Sequence, residues 1–330
     1  MCQDRIRWGI IGTGMIARVL ARAMEGSTKV VRCAIASRSM RKAEQFAREY
    51  GFEKAYGSYE DLLVDPHVQV IYNSLPNSLH CEWTIRAAEA GKHILCEKPL
   101  ACTTEECQRM IDAAKVNNVW LMEAFMYRFH PLMLKVKEVI DGREIGTVRL
   151  IRSAFSFSLS DLNNIRLKSE LCGGSLMDIG GYCVNFSRYI AGREPVEVFA
   201  VAHFGQKSGV DETLAGTLIF PDGQIAQFDC SFQTVPRSFC EVVGSDGKID
   251  IPVPWLPGSG DVSIAITKGG HSSTLKVKGA DSYLLEVDHF CDCINQNRPP
   301  MLSPEDSLRN VRVLQALLRS AREARPVRLE

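Results

Sequence analysis

Three short stretches hold residue types that could do chemistry. In "HILCEKPL" (His93–Leu100), an apolar run leads to Glu97, Lys98 and Pro99. An ammonium group at the carboxyl end of a buried strand points to a ligand crevice rather than to a solvated helix face. In "CGGSLMDIGGYCVNFSRYI" (Cys172–Ile190), the pairs Gly173-Gly174 and Gly180-Gly181 flank Asp178, and Tyr182 follows four residues on. Four residues is one helical turn, and Phe186 and Tyr189 continue the same face. A carboxyl and a phenol are both groups that exchange protons. The pattern fits equally a helix cap at Asp178 with Tyr182 in the core, so on pattern alone both readings stand. The third stretch is Gly12-Thr13-Gly14-Met15-Ile16-Ala17, a GxGxxA turn. Glycines there permit a tight turn and close approach of a pyrophosphate. The helix that follows offers free N–H donors and a partial positive charge.

These residues need elements to position them. "IRWGIIG" reads as a first strand and "MIARVLARAME" as a helix. "KVVRCAIAS", "VQVIYNSLP", "HILCEKP" and "VWLMEAFM" (Val119–Met126) read as further strands. Helical stretches such as "RKAEQFAREYG" and "LHCEWTIRAAEAG" separate them. Thr103 or Thr104 caps another helix, with Glu105 and Glu106 in its first turn. This alternation predicts a doubly wound parallel sheet, an α/β Rossmann domain over residues 1–127. The GxGxxA turn follows the first strand and opens a helix, the context that gives such a pattern meaning.

From about Phe129 the pattern changes. "HPLMLKVKEVID" is a helix, and "TVRLIRSAFSFS" (Thr147–Ser158) a long strand. Two further strand pairs turn at Pro221-Asp222-Gly223 and at Asp246-Gly247. Residues 128–330 are therefore expected to form an α+β domain with a large, mostly antiparallel open sheet. Its last helix covers about 304–323.

The end of the second strand bears on cofactor choice. An NAD site usually places Asp or Glu there for the ribose hydroxyls. This chain has Ser37 and Arg38, then Arg41 and Lys42. A hydroxyl and several cations suit a 2′-phosphate, so NADP(H) is preferred over NAD(H). Arg38 is the principal candidate, with Lys42 behind it.

The bulk numbers exclude other classes. With 330 residues the chain suits two domains. The 39 basic residues balance the 39 acidic ones, so no global field favours nucleic acid or a membrane surface. No run of roughly 20 apolar residues offers a spanning helix, and the N-terminus does not read as a signal peptide. Twelve scattered cysteines, from Cys2 to Cys293, form no CxxC. They read as reduced thiols of a cytoplasmic protein, and no metal site is expected.

Together the pieces resemble the glucose–fructose oxidoreductase / inositol dehydrogenase / MocA (Gfo/Idh/MocA) family over almost the full length. The residues that carry the resemblance are the GxGxxA turn, "LPNSLH" (Leu75–His80), "AGKHILCEKPL" (Ala90–Leu100), "GGSLMDIGGYCVN" (Gly173–Asn185) and "SPEDSLRNVRVLQAL". Tyr182 stands where inositol dehydrogenases have His. That places the chain nearest the branch of glucose–fructose oxidoreductase, NADP xylose dehydrogenase and dihydrodiol dehydrogenase. The resemblance implies that Lys98 and Tyr182 meet over the nicotinamide. It implies that Leu75, Pro76, Asn77 and His80 line the cofactor crevice and that Glu97 lies near the nicotinamide ribose. Tyr127, Arg128 and His130 would border the substrate. A Trp-Arg pair of the relatives corresponds to Ile165-Arg166 here, without the indole. The open sheet would pack on a second copy, giving a homodimer or homotetramer.

The chemistry follows from these groups. Oxidising a secondary alcohol removes a hydride from carbon and a proton from oxygen. A free tyrosine, with a pKa of about 10, is a weak base near neutrality. A neighbouring ammonium favours the phenolate. Tyr182 is thus the expected general acid/base, Lys98 its electrostatic partner, and Asp178 a holder of Lys98 or of a substrate hydroxyl. The expected substrate is a sugar or polyol. The alternatives are a trans-dihydrodiol dehydrogenase, a keto-sugar (anhydrofructose-type) reductase, a redox-assisted glycosidase and a non-catalytic cofactor-binding protein.

Overall fold

The computed structural model describes residues 5–329, so Cys2 lies outside the described residues. In chain order the elements are β1 (Ile6–Ile11), α1 (Met15–Ala23), β2 (Val30–Ala36), α2 (Met40–Tyr50), β3 (Lys54–Tyr56), α3 (Tyr59–Leu63), β4 (Val70–Asn73), α4 (His80–Glu89), β5 (His93–Glu97), α5 (Thr104–Val116) and β6 (Leu121–Ala124). Then come α6 (Pro131–Asp141), β7 (Val148–Ser156), α7 (Gly181–Ala191), β8 (Glu197–Phe204), β9 (Asp211–Ile219), β10 (Ile225–Ser231), β11 (Arg237–Gly244), β12 (Gly247–Ile251), β13 (Val262–Lys268) and β14 (His271–Val277). The chain ends with α8 (Ser282–Asn295), α9 (Pro304–Glu323) and β15 (Val327–Arg328). Contacts divide it into two compact units. The first runs to Met126 and takes back Tyr283–Leu308; the second comprises Tyr127–Ser282 and the chain from Arg309. The returning segment has no counterpart in the single boundary at 127/128 read from the sequence.

The first unit holds a six-stranded sheet in the order β3-β2-β1-β4-β5-β6. Every pairing in it is parallel. Its strands are near-continuous apolar runs because helices cover both faces, and Ile11, Ala34, Ile71, Ile94 and Cys96 are buried in one core. The order reverses direction between β1 and β4, so the carboxyl ends of these strands open a crevice at the switch point. Thr103 caps α5 by accepting the Glu106 N–H at 3.1 Å. The last strand is shorter than the apolar run Val119–Met126 suggests. After Ala124 the chain turns, and Met126–Phe129 is 3-10 helix.

The second unit holds a nine-stranded sheet in the order β14-β13-β12-β11-β7-β10-β9-β8-β15. Its pairings are antiparallel except β7 with β10. One face is buried, with Val198, Ala200, Leu214, Leu218 and Phe228 pointing into the core. α7 packs on β7 and β10. Register places Phe199, Val201, Ile225 and Phe239 together on the other face, where all four are exposed. Strands β8, β13 and β14 and helix α8 were not anticipated from the sequence.

Candidate active site

In the first unit the glycine turn joins β1 to α1. Gly12 has φ +100°, the left-handed region that favours glycine, and a Cβ there would lie 2.9 Å from Ser74 Oγ. Gly14 is the N-cap of α1, with no side chain capping it. A Cβ on Gly14 would meet nothing within 4 Å, so the space above this turn is open. Ala17, the third small residue, is fully buried where helix and strand pack. Thr13 and Ile16 are half-buried, and Met15 is exposed. Free N–H groups and open space fit a pyrophosphate.

At the end of β2, Ser37 is buried and Arg38, Arg41 and Lys42 are exposed. The Ser37 hydroxyl accepts the Ser39 N–H at 3.4 Å. Arg38 bonds the Tyr59 phenol; burial raises that phenol's pKa and the guanidinium works against the rise. The residues at this strand end fit a phosphate on the adenosine ribose.

The carboxyl ends of β4 and β5 carry the next group. Leu75 is buried, and Pro76 and Asn77 are half-buried. His80 does not line open space. It is fully buried, with Nδ1 2.9 Å from the Pro99 carbonyl and Nε2 2.8 Å from the Leu75 carbonyl. Burial lowers its pKa, the carbonyls oppose this, and the charge of Lys98 lowers it further. A carbonyl oxygen faces each ring nitrogen, so a neutral ring donates to only one of them, and only the charged ring donates to both. Glu97 accepts the Tyr72 hydroxyl, and its Oε2 accepts the Lys98 backbone N–H at 3.3 Å. Burial, then the charge of Glu97, holds Tyr72 in its phenol form. Sequence reasoning missed Glu286 on α8, which is fully buried with neither carboxyl oxygen hydrogen-bonded. Burial and the charge of Glu97 push its pKa well up. Lys98 is half-buried, in the turn that follows β5. A hollow of about 290 Å³ lined by Lys115, Trp120, Pro299 and Pro304 lies near the start of β6, at the amino ends of these parallel strands.

In the second unit Leu176–Gly180 is a single π-helical turn that runs into α7. The expected regular helical turn from Asp178 to Tyr182 is therefore one residue wider at its start. Asp178 does not cap α7; the N-cap is Gly180. Its carboxylate instead accepts Arg166 Nε at 2.5 Å. The Arg166 guanidinium also lies 6.0 Å from the Phe157 ring. Tyr182 is 7% exposed and sits among Phe155, Tyr127 and Trp255, at centroid separations of 5.6, 5.7 and 5.8 Å. The Tyr127 hydroxyl donates to Asn185 Oδ1 at 2.6 Å, and Arg128 Nη1 reaches the same oxygen at 3.3 Å. Arg128 also stacks 3.5 Å over the Tyr189 ring. His130 is the buried cap of α6, accepting the Leu132 N–H at 3.0 Å. Asp178, Arg166, Tyr182 and Tyr127 thus share one neighbourhood of the second unit, while Lys98 belongs to the first unit. Asn185 and Asp211, which the sequence did not single out, hold parts of this neighbourhood.

Comparison with known proteins agrees with this construction. Residues 6–125 match the oxidoreductase family with an NAD-binding Rossmann fold, and residues 133–250 match the GFO/IDH/MocA C-terminal domain. The D-xylose 1-dehydrogenase (NADP(+)) 2 of Haloferax volcanii is 35% identical, over 98% of this chain and 99% of its own. The trans-1,2-dihydrobenzene-1,2-diol dehydrogenase of Mus musculus is 32% identical, over 97% and 96%. The crystal structure of aldose-aldose oxidoreductase from Caulobacter crescentus, complexed with glycerol, superposes with a TM-score of 0.93 at 29% identity, covering 99% of this chain and 100% of that one. Two family domains in series, with relatives aligned end to end, make the chain a member of the Gfo/Idh/MocA family and an NAD(P)-dependent oxidoreductase.

Proposed function

We propose that this enzyme uses NADP(H), in preference to NAD(H), to interconvert a secondary alcohol with a ketone, or to act on a hemiacetal carbon, in a sugar or polyol. The observation that carries the reading is the segment on which Asp178, held by Arg166, and Tyr182, set among aromatic rings, follow one another. The cofactor preference rests on Ser37, Arg38, Arg41 and Lys42, which stand where a carboxylate would favour NAD.

When bound, the nicotinamide supplies the hydride acceptor or donor. Gly12 to Ile16 hold the pyrophosphate at the start of α1, and Ser37, Arg38 and Lys42 hold the 2′-phosphate. Leu75, Pro76, Asn77, Glu97 and Arg166 complete the cofactor site, with His80 buried behind Leu75. Tyr182 takes the substrate hydroxyl proton in oxidation and returns it in reduction. The Lys98 ammonium favours the phenolate and stabilises charge on the substrate oxygen. Asp178, oriented by Arg166, accepts a hydrogen bond from a neighbouring substrate hydroxyl, and Tyr127 and Arg128 border the substrate. The xylose dehydrogenase and aldose-aldose oxidoreductase relatives support a hydroxyl-rich substrate. The rings of Phe155, Trp255 and Tyr127 around Tyr182 favour, as a second reading, a flatter trans-diol like that named for the mouse relative. We assign the enzyme to the cytoplasm. A homodimer or homotetramer would cover the exposed face bearing Phe199, Val201, Ile225 and Phe239.

The test is a panel of aldoses, inositols, keto-sugars and trans-diols with NADP(H) and NAD(H), followed by nicotinamide absorbance. NADP-linked turnover of an aldose or polyol is expected. Turnover confined to trans-diols would replace the first reading by the second. Glycoside cleavage without net absorbance change would contradict both.

A further inference from the structure

Asp211 opens β9 and is 2% exposed. Its Oδ2 accepts the Ser175 hydroxyl and the Leu176 N–H, both at 2.7 Å. Those donors belong to the residue before the π turn and to the first residue of the turn. On the other side, Oδ1 occupies the place where a side chain on Gly174 would begin: a Cβ there would lie 2.2 Å away, and Gly174 has φ +115°. The far end of the turn is as tightly set. A Cβ on Gly180 would fall 2.8 Å from a Leu176 methyl and 2.9 Å from Cys230 Sγ. That sulfur in turn lies 3.5 Å from the Ser175 hydroxyl. The turn is clamped at both ends against β9 and β10.

Where this turn begins decides where the next residues point. Asp178 sits in its middle, and Tyr182 is the second residue of the helix it feeds. Proton exchange requires the phenol to come within about 2.6–3.2 Å of the substrate oxygen. We propose that Asp211 is a positioning residue for Tyr182: by holding Ser175 and Leu176, its carboxylate sets the origin of the turn from which Asp178 and Tyr182 project. This rests on the acid–base reading of Tyr182. A carboxylate is a costly anchor in a core, and burial pushes Asp211 up to about 6 even though Ser175 and Leu176 pull it down. Apolar packing would be the cheaper way to obtain stability alone.

The test compares Asp211→Ala, Asp211→Asn, Ser175→Ala, Tyr182→Phe and the double variant Asp211→Ala/Tyr182→Phe. It uses the substrate found by the panel, with kcat, KM and the NADP dissociation constant measured for each. Asp211→Ala is expected to lower kcat about 30–100-fold, as misplacement of a reacting group does, with NADP affinity within about two-fold. Asp211→Asn, which keeps an acceptor oxygen, should recover to within about ten-fold of wild type. The double variant should be no slower than Tyr182→Phe alone, because both changes act through one phenol. Wild-type kcat in Asp211→Ala overturns the proposal, as does full additivity in the double variant. If Asp211→Ala does not fold, Asp211→Asn and Ser175→Ala carry the test, and wild-type kcat in both overturns it. Loss in Tyr182→Phe with full turnover in the Asp211 variants overturns this proposal alone. Full turnover in Tyr182→Phe removes the acid–base reading, and this proposal with it.

Discussion

The two glycine turns of this chain do opposite jobs with the same residue. At Gly14 the missing side chain leaves emptiness, since a Cβ would meet nothing within 4 Å. At Gly174 the space is already filled, by the carboxylate of Asp211. The first turn keeps room for a ligand. The second lets the protein's own buried carboxylate reach the backbone. A glycine-rich segment is therefore not evidence of a ligand until its surroundings are known. On the proposed reading, the contrast separates a turn that would hold the cofactor from one that would aim side chains.

The largest effect should come from filling the second turn. Gly174→Ala would set a Cβ against Asp211 at a positive φ, and a loss of roughly 3 kcal/mol is expected in denaturant unfolding. Gly14→Ala, at φ −70°, should leave stability within about 0.5 kcal/mol while weakening NADP binding. Equal stability of the two variants would erase the contrast.

A somewhat smaller effect concerns the charge of the clamp. Asp211 faces the Ser175 hydroxyl, the Leu176 amide, the Cys230 thiol and, at longer range, the Arg322 guanidinium. Its pKa is raised to about 6 from the ordinary 3.8. The folded state thus binds this proton more tightly than the unfolded chain does. The contribution is fully present below about pH 4 and is lost as pH rises through about 6. Wild type minus Asp211→Asn should therefore fall by roughly 2–3 kcal/mol between pH 4 and pH 7. A flat difference would show that the carboxyl titrates normally.

The smallest effect tests the other turn's neighbour. Arg38→Ala should weaken NADP about 10–30-fold, a loss in the range of a charge-assisted bond, and leave NAD nearly unchanged. Equal weakening of both would defeat the assignment of a 2′-phosphate site at the end of β2.

How much of this was legible in the sequence depended on the range of the interaction. The glycine turn, the parallel alternation and the Thr103 cap are local, and each was readable from residues a few positions apart. The Pro221-Asp222-Gly223 hairpin was readable for the same reason. β14, "HSSTLKV", is a mostly exposed edge strand, so no apolar alternation announces it. The clamp of Asp211 on Ser175 spans 36 residues, and no spacing rule connects the start of a strand to a distant turn. The π turn was misread as a regular one because Asp178 and Tyr182 stand four apart in either case. Gly180 also packs close to Cys230, a contact made only in the fold. His80 was read as lining the crevice from its motif; it is buried between the Leu75 and Pro99 carbonyls instead.

One kinetic comparison bears most directly on the claim that Tyr182 exchanges the substrate proton: kcat and the NADP dissociation constant of Tyr182→Phe against wild type. A fall in kcat of about 10³-fold, with NADP affinity within about two-fold, is predicted. Wild-type turnover by the phenylalanine variant would contradict it.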